Sequence, residues 1–334
     1  MFDKKIPHIV YASDNGFAEV LGVSLTSLYE NSKDAEDIVV YVLDSGISKE
    51  NREKLSSLSG KYGRSGIKFI SARDISKILS MNVNTDRGSL SQYARLFVSS
   101  DLPKELERVL YLDCDIIINK SITELWQIDM KGKTIAALKD AFSKQYRKNI
   151  DLQPHDIMFN SGVMLIDLDR WKEQQVKKRL LKFIKKRGGR IQQGDQGALN
   201  AVLSKDTLCL HPRFNSVTIF YDFTYPELLT YRKPVDYYSP KEVKEAVEDP
   251  VLIHFTTSFL SKRPWYEGCG HKYCGQWLKY KALSPWSDTP LWPAKKESGL
   301  RGMYIKLCKK IPRKLMIGFS GLLQAYGRPF VYRH

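Results

Sequence analysis

Short β-branched or apolar runs recur through the first 140 residues, at Ile6–Ala12, Ile38–Leu43, Ile67–Ile70, Val109–Leu112 and Thr134–Leu138. Between the first three, apolar positions return at helical spacing over Ala18–Tyr29, through Leu21, Leu25 and Leu28, and over Lys49–Leu58. Alternating strand and helix patterns predict a βαβ array, hence an α/β fold with a mostly parallel sheet. Near-continuous apolar strands fit a sheet covered on both faces. The first strand runs into Ser13-Asp14-Asn15-Gly16-Phe17. That turn is neither a G-x-G-x-x-G loop nor a P-loop, which argues against Rossmann dinucleotide binding and Walker-type ATP binding. Residues 200–290 are rich in Tyr, Trp, Pro and Phe with little periodicity and read as loops around a site. Pro285, Pro290 and Pro293 mark a linker over 285–300. Residues 1–284 thus form the main domain, followed by a tail over 301–334.

Composition narrows the class. A chain of 334 residues with 43% hydrophobic content buries a real core and is not disordered. No apolar run approaches the roughly 18 residues that span a bilayer, and Met1-Phe2-Asp3-Lys4-Lys5 does not open a signal peptide. Five scattered cysteines (114, 209, 269, 274 and 308) form no disulfide framework and point to a reducing cytoplasm. The net charge of +16 resolves into two blocks. Lys172–Arg190 carries nine basic residues and one acidic, and Arg301–His334 carries eight basic residues and no acidic ones. The rest of the chain sums to zero. The first block reads as an amphipathic helix with a solvated face, ended by Gly188-Gly189. In the second, Leu300, Met303, Tyr304, Leu307, Cys308 and Ile311 make an apolar stripe, broken at Pro312 and resumed by Leu315, Phe319, Leu322, Leu323 and Tyr326. An amphipathic terminus with only positive charge predicts contact with an anionic membrane surface. No helix-turn-helix, zinc-finger or RNP pattern supports nucleic acid as the partner.

The sharpest chemical signal is Val109-Leu110-Tyr111-Leu112-Asp113-Cys114-Asp115-Ile116-Ile117-Ile118. Residues i and i+2 of a strand share a face, so Asp113 and Asp115 are expected to point the same way at the strand's end. Two desolvated anions side by side call for a cation, and Mg²⁺ or Mn²⁺ suits oxygen ligands plus substrate phosphates. Two enzyme classes use this pattern. Phosphotransferases of the haloacid dehalogenase type carry D-x-D at the end of their first strand. Metal-dependent nucleotide-sugar glycosyltransferases carry it after a nucleotide-binding βαβ half, and position 113 favours these. A non-enzymatic basic protein binding membranes or polyanions is the third alternative; it explains the charge and leaves the carboxylate pair unexplained.

Further motifs follow in order: Ile9-Val10-Tyr11-Ala12-Ser13-Asp14, Tyr93-Ala94-Arg95-Leu96, Phe159-Asn160-Ser161-Gly162, Asp195-Gln196, and His254-Phe255 with Arg263-Pro264-Trp265. Together with the D-x-D, they resemble glycosyltransferase family 8, in its bacterial lipooligosaccharide galactosyltransferase branch, over most of the chain. The resemblance implies a GT-A fold, Mn²⁺ (or Mg²⁺), a UDP-hexose donor and retention of anomeric configuration. By motif position, Asp113, Asp115 and His254 are the implied metal ligands. Asp14 is the implied uracil contact. The family's usual Asn and Tyr just beyond it are replaced by Gly16 and Phe17, so any stacking falls to Phe17. Arg95 is implied to face the donor, Asn160 and Asp195 to hold its sugar hydroxyls, and Asp140 to lie on the acceptor side. Gln196 is implied to present its amide oxygen beneath the anomeric carbon. The stretch before Pro264 departs from the family motif, and either Lys262 or Arg263 is the implied cation at the β-phosphate. The implied acceptor is a glycan, lipid-linked glycan or glycoprotein, and the implied location is cytoplasmic, at the inner face of the cell membrane.

Overall fold

The computed structural model describes residues 3–85, 89–294, 299, 302–304 and 310–332. Among these, the apolar runs become ten strands: β1 (His8–Ser13), β2 (Val39–Asp44), β3 (Lys68–Ser71), β4 (Arg108–Leu112), β5 (Ile116–Ile118), β6 (Ile135–Lys139), β7 (Phe159–Asp167), β8 (Thr207–Cys209), β9 (Ser216–Val217) and β10 (Leu252–His254). All five expected strands are present, within two residues of their expected ends. Seven strands form the main sheet in the order β3-β2-β1-β4-β7-β6-β8. It is parallel except at β7, which runs antiparallel to both β4 and β6. The fold is therefore mixed α/β with a mostly parallel sheet. Helix α1 (Ala18–Asn31) leads from β1 to β2, and α2 (Lys49–Lys61) from β2 to β3.

Strand order reverses at β1, which has β2 on one side and β4 on the other. Such a reversal opens a crevice beyond the carboxyl ends of the two strands, the usual ligand position in open α/β sheets. Here those ends are Ser13-Asp14 and Leu112-Asp113.

The expectation that Asp113 and Asp115 share one continuous strand needs correction. β4 stops at Leu112 and β5 begins at Ile116, so the two acids sit in the turn between them. The strands belong to different sheets, because β5 joins β10 and β9 in a separate three-stranded sheet. The apolar run reads as one strand in sequence because both halves are buried; the turn exists to pass the chain from one sheet to the other.

Residues 200–290 also hold more regular structure than their periodicity suggests. Helices Tyr225–Arg232 and Pro240–Glu248 each begin in a capping box, Thr224 with Glu227 and Ser239 with Glu242. Eight or nine residues give too few turns for a clear apolar stripe, but the boxes were visible in sequence. Nor does the stretch read as a linker hang free at its start. In α1, every residue from Ala18 to Tyr29 is buried. A Cβ at Gly22 would lie 2.2 Å from Cζ3 of Trp286, so the bare glycine makes the notch that seats this indole. Beside it, Lys281 bonds both Glu19 and the Trp286 carbonyl, and the Trp292 indole donates to Glu19 at 3.2 Å.

The tail expected to carry an interfacial stripe is helical over residues 313–331, with a π-helical turn at Leu323–Gly327. It packs Met316, Ile317 and Ala325 inward and leaves Leu315, Phe319, Leu322 and Tyr326 exposed. Leu300, Arg301, Lys306, Leu307, Cys308 and Lys309 lie outside the described residues. No helix among the described residues is long and apolar enough to cross a membrane.

Trp286→Ala is expected to lower stability by about 3–5 kcal/mol, because a large buried ring leaves a cavity; urea unfolding measures it. Burial also pushes the imidazole of His271, packed edge-on against Tyr221 and Phe255, down to about 4. The unfolded chain then binds more protons than the folded one between about pH 6.5 and 4. Stability should be complete above that window and fall through it on acidification, and His271→Phe should flatten the decline in urea midpoint.

Candidate active site

The site is assembled by the register of the small sheet. β10 runs antiparallel to β5 with His254 opposite Ile116, which sets the imidazole beside Asp115. Backbone bonds fix the turn: Asp113 N donates to Gly162 O at 2.8 Å, and Phe255 N donates to Asp115 O at 2.9 Å. Asp113, Asp115 and His254 each offer a ligand atom, and these atoms lie within 4.8 Å of one another. Cys114, between the acids, turns away and gives its Sγ–H to Ala12 O at 3.3 Å. Burial pushes that thiol up, so it is an inert filler.

The imidazole is oriented from behind. Its Nδ1 lies 3.0 Å from Oδ1 of Asn215, and the Asn215 amide donates in turn to Asn160 Oδ1 at 3.0 Å. Asn215 therefore presents its oxygen to the ring, which places the proton on Nδ1 and the lone pair on Nε2. That buried Nε2 makes no hydrogen bond, although Asp115 Oδ1 is 3.2 Å away and Asp113 Oδ2 is 3.9 Å away. A lone pair aimed at two anions is unfavourable unless a cation lies between them. The arrangement thus fits a divalent ion, with two carboxylates and an oriented imidazole.

Two cations already brace this negative centre. Arg95 is buried, with its guanidinium 2.8 Å from Asp113 Oδ1 and 3.0 Å from Asp195 Oδ2, and it also donates to Ser161 O at 2.7 Å. Burial pushes the group down, yet the neighbouring carboxylates outweigh this and hold it above its ordinary value. Arg95 was expected to face the donor. It lines the cleft, but its charge is committed to the two acids. The two candidate cations, Lys262 and Arg263, stand differently toward the acids. Arg263 lies 3.3 Å from Asp115 Oδ2 and donates to Thr257 at 2.9 Å, whereas Lys262 is exposed and donates to Glu267 O at 3.3 Å.

On the other side, helix Gly194–Leu203 opens with Asp195 and Gln196 after a left-handed Gln193. Gln196 Oε1 accepts from Ser161 N at 3.1 Å, and its Nε2 donates to Asp140 Oδ2 at 3.3 Å. The carboxylate and the peptide N–H together determine which way the amide faces. The expected role beneath an anomeric carbon therefore falls to an amide whose oxygen is already shared with the backbone. Asn160 accepts from Gly162 N at 3.0 Å and donates to Asp140 at 3.5 Å. Asp14 caps the turn after β1 through Phe17 N, and the Phe17 ring meets Trp265 and Trp292 edge-on, each with centroids 5.9 Å away. Asp14, Phe17, Arg95, Asp113, Asp115, Asp195 and Gln196 line one cleft, together with Ser161 and Tyr111. Asp140, Asn160 and His254 adjoin it through the bonds above; Lys262 does not.

Asn215 was missed in the sequence, and Gly162, although part of the Phe159–Gly162 motif, was given no role. Asn215 lies in an aperiodic stretch and carries no motif. Gly162 did leave a signal, since a glycine inside a strand marks a close approach. A Cβ there would sit 2.3 Å from His254 Cε1 and 3.0 Å from Asp113 Oδ2. Asn215→Ala is expected to weaken Mn²⁺ binding about 10–100-fold in calorimetric titration, because a ligand's orienting partner is lost. Gly162→Ala should do at least as much by displacing the ring.

Comparisons with known proteins show the family and the fold. The family model described as "Glycosyl transferase family 8" matches residues 8–269. General stress protein A of Bacillus subtilis is 28% identical over 286 residues, covering 85% of this chain and 96% of that one. A lipopolysaccharide 1,2-glucosyltransferase of Escherichia coli is 23% identical over 294 residues, covering 84% and 79%. The crystal structure of galactosyltransferase LgtC with donor and acceptor sugar analogues superposes with a TM-score of 0.68 at 24% identity, over 83% of this chain and 96% of that one, and shares the fold. This membership sets aside the phosphotransferase alternative. The chain belongs to glycosyl transferase family 8.

Proposed function

We propose that the protein is a retaining, metal-dependent glycosyltransferase that moves a hexose, glucose or galactose, from a UDP-sugar to a hydroxyl of a glycan acceptor. The observation that carries the reading is the buried His254 Nε2, unbonded and turned toward Asp113 and Asp115. An Mn²⁺ (or Mg²⁺) ion held by these three residues would neutralise charge on the diphosphate. Asp14 and Phe17 take the nucleoside end of the cleft. Arg263, tethered to Thr257 and next to Asp115, meets the charge that grows on UDP as the glycosidic bond lengthens. Asn160 and Asp195 orient the hexose, and Asp140 holds the acceptor side. Gln196, pinned between Ser161 and Asp140, stabilises positive charge at the anomeric carbon electrostatically; an amide is a feeble nucleophile.

The tail supports a reading of the acceptor class. Basic residues Arg313, Lys314 and Arg328 flank exposed Leu315, Phe319, Leu322 and Tyr326 on one helix. Such a face suits an anionic membrane surface, with the enzyme peripheral at the cytoplasmic side and a lipid-linked or surface glycan as acceptor.

The test is a screen of UDP-sugars for Mn²⁺-dependent hydrolysis. UDP-glucose or UDP-galactose is expected to be consumed with Mn²⁺ and spared with EDTA; no turnover of either sinks the reading. Asp113→Ala and Asp115→Ala should abolish nearly all turnover, while Gln196→Ala keeps a measurable rate. Equal loss in all three variants would overturn the electrostatic role of Gln196.

A further inference from the structure

Two sets of hydrogen bonds tie the C-terminal helix to the body, one leading to the loop that carries Arg263 and the other to Asp140 and the Asp195–Gln196 turn. At its start, Arg313 donates to the Asp222 carbonyl at 2.6 Å and pairs with Glu227 at 2.8 Å. The Asp222 carboxylate in turn accepts from Ser258 and Ser261, in the loop that delivers Arg263. At the π-helical turn and just beyond it, the helix meets a second region of the body. Ser143 donates to Ala325 O at 2.7 Å, and Tyr146 donates to Gln324 O at 2.9 Å. Ser143 lies three residues beyond Asp140, the partner of Gln196. The amide of Asn149 uses both its protons, one on Pro329 O and one on Gln192 Oε1, each at 2.7 Å. Gln192 leads directly into the turn that sets Asp195 and Gln196.

The docking is close and specific. A Cβ at Gly321 would lie 2.5 Å from Thr230 O, so only glycine lets the helix reach helix Tyr225–Arg232. Gln324 is buried and returns a bond to the Tyr146 hydroxyl at 2.9 Å. A freely swinging anchor needs neither feature. π-Helical turns also occur preferentially where a helix serves a site.

We infer that the C-terminal helix is a clamp across the transfer site, in which Asn149 is a positioning residue that holds the Gln192–Gln196 turn against the helix end. The inference rests on the reading of the cleft as the site of glycosyl transfer. It assigns the tail a part in catalysis as well as in surface attachment.

The experiment uses full-length point variants, with Mn²⁺ and the UDP-hexose found to be hydrolysed. Asn149→Leu removes both bonds of the bridge, and Gly321→Val pries the helix from its seat. Each is expected to lower kcat about tenfold or more, since a small misplacement of reacting groups is costly, while the donor KM stays within about twofold. The double variant should lose no more than the worse single one, because both break the same linkage. Val331→Ser, at the exposed end of the same segment, should leave hydrolysis unchanged. Unaltered kcat in both variants, or additive losses, would overturn the clamp. Amide hydrogen exchange supplies a readout independent of activity. Gly321→Val should speed exchange at residues 193–196 while β1 and β4 stay protected, and unchanged exchange there overturns the inference. Should Gly321→Val fail to fold, Ser143→Ala, which deletes a single bond to the helix, takes its place under the same criteria. If the wild-type chain consumes no UDP-hexose, the transferase reading falls, and exchange alone decides the linkage.

Discussion

Two carboxylates forced together in a largely buried turn set the terms for everything around them. Asp113 and Asp115 repel each other and have little water to screen them, so the fold must answer with positive charge or positive dipoles. It does so from two directions, with Arg95 from the segment before β4 and Arg263 from the loop after β10, while Asn215 draws the proton of His254 to the far side of its ring. Each answer is partial. Arg95 divides itself between Asp113 and Asp195, and Arg263 approaches Asp115 at 3.3 Å. The shortfall is concentrated at His254 Nε2, where a divalent ion fits. Structural pairing and chemical function are thus two uses of a single electrostatic imbalance.

Most of the main sheet was legible because its central strands are buried on both faces and its first helices are long enough to show their period. The D-x-D was legible because acids in an apolar run stand out against burial cost. What the sequence misled on was continuity: Val109–Ile118 looks like one strand, and the break at Asp113 is created by pairing with β10, far along the chain. Asn215 was illegible for a related reason. Its role comes from the distance to an imidazole 39 residues away, which no local spacing encodes. The segment at 285–300 looked like a linker because prolines mark irregular backbone, yet irregular backbone packs well when a notch such as Gly22 awaits it. Lys262 and Arg263 were equivalent in the sequence, because which of two adjacent side chains a loop turns inward is set by tertiary contacts, here Asp115 and Thr257 beside Arg263.

The two basic blocks, equal in charge, have different surroundings. The first is a helix, Val176–Lys186, whose Val176, Leu180 and Ile184 are buried, as a solvated face on a packed helix requires. The second pairs its charge with exposed apolar side chains, a combination that solvation alone does not favour. They also meet at one turn: Asn149 bonds the tail, while Asp151 pairs with Lys186 and Arg187 at the end of the first block.

The pairing of β5 with β10 has a consequence for how the protein comes into being. Asp113 and Asp115 leave the ribosome long before His254, and the strand that carries the imidazole can pair with β5 only once the intervening chain has been made. A nascent or truncated chain ending before Leu252 has the acids without His254 and Arg263 beside them, so the cluster is completed only late in synthesis.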